Sequence, residues 1–226
     1  MIYDLALYPA SGPGLGHLMR CMALAEWAVE LKAKVAVALQ HAPGNLAWPC
    51  PVIVGAEGYA LEFKVAIGDG RVVGPLEAWQ IIDGPPEGTD PATPGYIYPH
   101  FGATPVAGFP TFVGPQWMPL RKKFSRRRED RNGVWACYRV QAPGMVPADD
   151  LWPQWAGGML CPPSVIAYEA MALGLPVAIH DDHEYPRIAG AMWRTGVASW
   201  ADNWHQATPT NLIDGLGAKR LLEALL

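Results

Sequence analysis

A hydrophobic run from Ile2 to Tyr8 breaks into a Pro/Gly loop, Pro9 to Gly16, and a helical pattern from Gly16 to Leu31 follows at once. This junction constrains the fold more than any other feature. A strand that feeds directly into a helix cannot turn back on itself as a hairpin. The helix must carry the chain across, so the next strand runs parallel to the first. Leu18, Met22, Ala25 and Val29 fall on one face of that helix, and Lys34–Leu39 reads as the buried strand it leads to. The loop itself ends in Gly14-Leu15-Gly16-His17. Helix N-termini present free N–H groups, glycine lets a ligand approach the main chain, and histidine exchanges a proton near neutral pH.

The alternation continues. Pro51–Gly55 reads as a strand, Glu62–Val73 as a hairpin turning at Gly68-Asp69-Gly70, and Trp79–Ile82 as a short strand ending in Asp83. Short strands are expected at Tyr96–Tyr98 and Thr111–Val113. After Asn132-Gly133 the pattern restarts with strands at Val134–Val140 and Gly158–Cys161, and a short element at Asp149–Trp155. A helix from Ser164 to Leu173 stops at Gly174 with Pro176 behind it. Strand Val177–His180, helix Tyr185–Arg194, strand Val197–Trp200 and a C-terminal helix from Thr210 complete the chain. The prediction is an α/β protein of two Rossmann-like halves, the C-terminal one reduced: residues 1–119, a basic joining segment 120–132, and residues 133–226.

No apolar run reaches the roughly 18–20 residues that cross a bilayer, and no basic segment precedes an apolar one at the N-terminus, so the expectation is a soluble cytoplasmic protein without a membrane partner. Cys21, Cys50, Cys137 and Cys161 are too scattered for a C-x-x-C pair and read as small buried hydrophobes. The charge is uneven. Arg121, Lys122, Lys123, Arg126, Arg127, Arg128 and Arg131 crowd one segment, leaving ten basic against nineteen acidic residues elsewhere. Such a run is either a patch for a polyanion or a solvated helix face.

Four segments, in order, resemble one superfamily. Tyr3 to Gln40, with Gly14-Leu15-Gly16-His17-Leu18-Met19-Arg20-Cys21 at its centre, is similar to the N-terminus of the UDP-sugar hydrolase of pseudaminic acid biosynthesis, which has the glycosyltransferase B fold. Ile81-Ile82-Asp83 is similar to a strand-end aspartate of that family. Gly114-Pro115-Gln116-Trp117-Met118-Pro119-Leu120-Arg121-Lys122-Lys123-Phe124 resembles its interdomain element, and Tyr168-Glu169-Ala170-Met171-Ala172-Leu173-Gly174-Leu175-Pro176 its nucleotide-binding motif.

The resemblance implies that His17 is a base for water or an acceptor hydroxyl, where the residue alone also reads as a capping or loop histidine. It implies that Gly14 and Gly16 form part of a cradle for sugar and phosphates. Glu169 would accept hydrogen bonds from ribose, or else complement a helix N-terminus. Ser164 is expected to cap its helix, whose free N–H groups would face a diphosphate. Asp83 is a candidate for acceptor hydroxyls. The cluster His180-Asp181-Asp182-His183-Glu184 reads as metal ligands or as a polar rim in which His183 and Glu184 touch the donor. With no D-x-D motif, no metal and no other cofactor is expected.

Three departures stand out. Pro163 and Ser164 replace the family's Gly-Gly doublet, Glu184 and Tyr185 replace its Asn-Gln pair, and the second half lacks a βαβ unit. All lie where the donor is selected. The first expectation is therefore a glycosyltransferase using a nucleotide-diphosphate sugar, with Arg126, Arg127 and Arg128 holding an acceptor such as a hydroxylated base in DNA. The alternatives are a UDP-sugar hydrolase with the same His17 and a non-catalytic sugar-nucleotide or nucleic-acid-binding module.

Overall fold

The computed structural model describes residues 2–10, 15–41, 46–55, 60–70, 75, 77–86, 92–129, 133–180 and 185–226. The chain divides into two compact units, 1–122 with 216–226, and 123–215.

The first unit is built on a seven-stranded parallel sheet. Its strands are β1 (Ile2–Pro9), β2 (Val35–Leu39), β3 (Val52–Val54), β4 (Glu62–Asp69), β5 (Trp79–Ile81), β6 (Tyr96–Tyr98) and β7 (Thr111–Val113), in the order β3-β2-β1-β4-β5-β6-β7. The order reverses between β1 and β4, the topological switch point at which open parallel sheets bind ligands. Helix α1 (Gly16–Glu30) is rich in Leu, Met and Ala, with no β-branched residue before Val29, which suits a helix interior. It covers one face of the sheet together with α5 (Gly217–Leu225). Leu5 and Leu7 of β1, Val35 and Val37 of β2, Ile67, Ile81 and Ile97 meet Leu24, Ala28, Leu221 and Leu222 there. The opposite face is lined by small side chains, Ala6, Ala38, Ala66 and Ala78, around Tyr8.

Two expectations fail in this unit. The turn expected at Gly68-Asp69-Gly70 does not interrupt the strand: Gly68 and Asp69 belong to β4, which runs parallel to β1 in register from Ile2↔Glu62 to Pro9↔Asp69, and residues 71–73 of the expected hairpin lie outside the described residues. Gly-Asp-Gly is a turn signal, but Gly70 (φ 120°) is needed here because a Cβ on it would lie 2.5 Å from that of Ala10. The C-terminal helix begins at Gly217 rather than Thr210, and it belongs to the first unit rather than to a segment 133–226. The φ of Gly215, 74°, lies outside the right-handed helical region and stops the helix from extending back, and a Cβ there would stand 2.3 Å from the Phe124 carbonyl oxygen, so only glycine fits. Gly217 presses equally closely on Met118, so its bare Cα lets α5 dock.

The second unit carries a five-stranded parallel sheet in the order β12-β11-β10-β8-β9. These are β8 (Trp135–Cys137), β9 (Val146–Pro147), β10 (Gly158–Cys161), β11 (Val177–Ile179) and β12 (Ser199–Trp200). Renumbered within the unit this is a 2-1-3-4-5 sheet, whose switch point lies between β8 and β10. The helices are α2 (Trp152–Trp155), α3 (Val165–Ala172) and α4 (Pro186–Arg194). The strand expected at Val134–Val140 is limited to Trp135–Cys137, and β9 pairs beside it. The doublet Gly157-Gly158 is structural. A Cβ on Gly157 would meet Gly133 at 2.6 Å, and one on Gly158 would meet the Trp135 ring at 2.5 Å.

Candidate active site

Strand periodicity decides what reaches the first switch point. Side chains alternate along a strand, so Asp69 shares the face of Ile67, which packs under α1. Asp83 follows Ile81 by the same two residues at the end of β5, and His100 follows β6. From above, α1 contributes His17 and Arg20, three residues apart and so on one side of the helix.

These five residues form one network. His17 Nδ1 donates to Asp69 Oδ1 at 2.8 Å. Arg20 grips Asp69 with two bonds, Nε to Oδ2 at 2.8 Å and Nη2 to Oδ1 at 2.7 Å. Its Nη1 and Nη2 reach Asp83 Oδ1 and Oδ2 at 2.5 and 3.2 Å. His100 Nε2 meets Asp83 Oδ1 at 2.8 Å. Arg20 and Asp69 are buried, with side-chain exposures of 3% and 0%, while His17 and Asp83 each keep 25%. The two inner groups are thus shielded and the two outer ones accessible.

The bonding fixes the tautomer of His17. Arg20 Nη2 lies 3.0 Å from Nδ1, but both hydrogens of Nη2 are directed to Asp69 and Asp83. Asp69 accepts only, so Nδ1 carries the proton and Nε2 is left with its lone pair. The hydrogen bond to Asp69 raises the His17 pKa above the ordinary 6.5, against the opposing effect of burial. Burial also works to raise Asp83, yet the Arg20 charge and the bond from His100 hold it well below the usual carboxylate range. Burial penalises the Arg20 charge as well, and the two carboxylates more than offset this. Beside them Cys21 is a buried thiol pushed well up, first by burial, so it is no nucleophile.

Of the residues singled out from sequence, His17 and Asp83 therefore come together, and Gly16 opens the helix that carries His17. Asp83 is a partner of Arg20 and His100 as well as a candidate for hydroxyls. Asp69, Arg20 and His100 were not singled out. Gly14, His183 and Glu184 lie outside the described residues.

In the second unit Ser164 occupies the N-cap position of α3, but its hydroxyl makes no capping bond. It turns back to the Pro162 carbonyl at 3.4 Å, so the expected side-chain cap is absent. Glu169 is half-buried in the second turn, near enough to Cys161 to help raise that thiol, after burial. The basic run is partly consumed internally. Arg121 and Lys122 pair with Glu26 and Glu30, Arg127 bonds Asn211 and the Thr210 carbonyl, and Arg128 bonds the Ala156 carbonyl. Among the described residues no three His, Cys, Asp or Glu side chains are arranged to hold a metal, and no helix is long and apolar enough to cross a membrane.

No family model matches the chain. No curated protein matches it either. The solved structure of spinosyn forosaminyltransferase SpnP is similar to it, with a TM-score of 0.54 and 13% identity, covering 99% of this chain and 90% of that one. At that identity the likeness is one of fold. The chain is an α/β protein of two Rossmann-like halves with a glycosyltransferase-like fold.

Proposed function

We propose that the protein transfers a glycosyl group from a nucleotide-diphosphate sugar to a hydroxyl, with His17 as the base. The observation that carries this reading is the His17–Asp69 pair: a partly exposed imidazole with its Nδ1 proton committed to a buried carboxylate and no partner on its Nε2 among the described residues. In the transfer, Nε2 takes the proton of the acceptor hydroxyl, and the oxygen forms a bond to the anomeric carbon. The bond from that carbon to the diphosphate oxygen breaks, and its electron pair leaves with the nucleoside diphosphate. Asp69 steadies the imidazolium that results. Asp83, held ionised, accepts a hydrogen bond from a further hydroxyl.

The donor is assigned to the second unit. The first N–H groups of α3 have no side-chain cap, follow the end of β10 at a switch point, and suit a diphosphate. Glu169 on the same helix is the proposed partner of the ribose hydroxyls. A DNA acceptor held by Arg126, Arg127 and Arg128 has less behind it, since two of the three are engaged within the unit.

The test is to incubate the protein with a set of nucleotide sugars, with and without a panel of hydroxylated acceptors, and follow nucleoside diphosphate release. Acceptor-dependent release that falls about 10²–10⁴-fold in His17→Ala is expected. Release from UDP-sugars without any acceptor, lost in the same variant, would assign His17 to water and make the protein a hydrolase. Turnover unaffected by His17→Ala would sink both.

A further inference from the structure

Arg20 sits where a helix facing an apolar core has no ordinary use for a cation. Its guanidinium is bonded twice to Asp69 and twice to Asp83, so four of its five N–H groups are committed. Each carboxylate also holds a histidine, through an oxygen that Arg20 bonds as well: His17 on Asp69 Oδ1 and His100 on Asp83 Oδ1. The bonds run His17–Asp69–Arg20–Asp83–His100, with Arg20 Nη2 also 3.0 Å from His17 Nδ1. With both histidines neutral it carries one positive and two negative charges.

From this arrangement we infer that Arg20 is a positioning residue that keeps His17 competent as a base, and that Asp83, sharing the same guanidinium, tempers that effect. The inference rests on the reading of His17 as the base. A buried carboxylate beside an imidazole, with no other cation, favours the imidazolium strongly. His17 would then stay protonated and have no lone pair to offer. Arg20 satisfies most of the Asp69 charge in advance, and its doubled bond orients the carboxylate so that Oδ1 faces Nδ1. Asp83 acts in the opposite direction: it draws on the same guanidinium and weakens its hold over Asp69. His100, almost fully buried, bonds Asp83 and limits that draw. The charged and titratable groups facing His17 are thus Asp69 from β4, Arg20 from α1 and Asp83 beyond β5, with His100 behind Asp83 and the un-ionised Cys21 thiol near Asp69.

Opposite signs make this testable. In the full chain, the ring signals of His17, assigned by their loss in His17→Gln, are titrated by NMR. Arg20→Gln is expected to raise the His17 pKa by about 1 or more, and Asp83→Asn to lower it measurably. Arg20→Lys, which keeps the charge but not the paired geometry, should restore a value close to that of the wild type. A merely structural Arg20 would leave these values where they were or lower the melting temperature alone. If Arg20→Gln does not fold, Asp83→Asn still decides, because only a fall in the His17 value there fits the inference. A fall or no change in Arg20→Gln, or a rise or no change in Asp83→Asn, overturns it. The acid limb of nucleoside diphosphate release is then followed in Asp83→Asn and, where it folds, Arg20→Gln. Should the NMR values move as expected while that limb stays fixed, the positioning role stands and the assignment of His17 as base falls.

Discussion

At the switch point of the first sheet, five ionisable side chains from four elements are bonded into one largely buried network. At the switch point of the second, the chain supplies Pro162, Pro163 and Ser164 and then α3, a mostly apolar helix whose single charged side chain is Glu169. Both positions are the ends of parallel strands, where the backbone alone creates a place for a ligand. Under the proposed function the side chains then divide the chemistry. Proton transfer needs a group whose pKa is set by fixed neighbours, and this requires buried charges that only a closed set of partners can stabilise. Holding a diphosphate needs N–H groups and little else. The first site is therefore costly to disturb and the second tolerant.

The sharpest break of this contrast is Asp69→Ala. It removes one of the two carboxylates on a buried guanidinium, the fully buried one, and should destabilise the fold by about 3–5 kcal/mol, read by urea titration. A loss below about 1 kcal/mol would mean that Arg20 finds solvent and that the network is not closed. The conservative Asp69→Asn separates folding from chemistry, because the amide keeps the shape and removes the charge that raises His17.

The pH dependence comes next in size. His17 must be neutral to accept a proton, so turnover is expected to rise with pH through a midpoint above 6.5, its ordinary value. In Asp69→Asn that midpoint moves down. Stability runs the other way. With its folded pKa raised, the His17–Asp69 bond contributes fully below the unfolded value of His17 and is lost as pH rises through the folded one. Asp83, depressed in the fold, contributes above its ordinary 3.8 and loses that contribution as pH falls through its folded value. An acid limb at or below 6.5 in the wild-type protein would contradict the bond to Asp69 as the controlling interaction.

The sequence made the scaffold of the first site legible and hid its wiring. The β1–α1 junction and His17 were readable because an apolar run, a Gly/Pro break and a helical period occur together. Asp69 was hidden by its neighbours: Gly68 and Gly70 made it look like a turn, although Val65-x-Ile67-x-Asp69 continues the alternation of a strand. The same pattern, an acid two residues after a core isoleucine, occurs at Ile81 and Asp83, and the repeat was the available signal. Arg20 was visible as a cation three residues after His17 in an otherwise apolar segment. His100 had no signal, since only the parallel pairing of β5 with β6 brings it to Asp83. The destination of the last helix was equally unreadable. Its amphipathic period predicts a buried face but not that the face returns to α1.

Glu169→Gln sharpens the other side of the comparison. If its carboxylate accepts from ribose hydroxyls, the variant should bind a nucleoside diphosphate about tenfold more weakly by calorimetry, the loss of a hydrogen bond to a charged acceptor. Unfolding stability should move little, because the network of the first unit is untouched. Unchanged affinity would remove Glu169 from the donor site.

The smallest effect is the most specific. An N-cap serine replaced by alanine ordinarily costs about 1 kcal/mol. Ser164 holds that position with extended backbone (φ −118°, ψ −178°), yet its hydroxyl makes no bond to the first turn of α3. Its side-chain bond among the described residues is the 3.4 Å contact to the Pro162 carbonyl, near the limit at which a hydroxyl bond has any strength. Ser164→Ala is therefore expected to change stability by less than about 0.5 kcal/mol. A full capping penalty would mean that the hydroxyl closes the helix end in solution, so that a diphosphate would have to displace it. Near-neutral stability combined with unchanged nucleoside diphosphate affinity is the result expected of a helix end whose backbone alone receives the ligand.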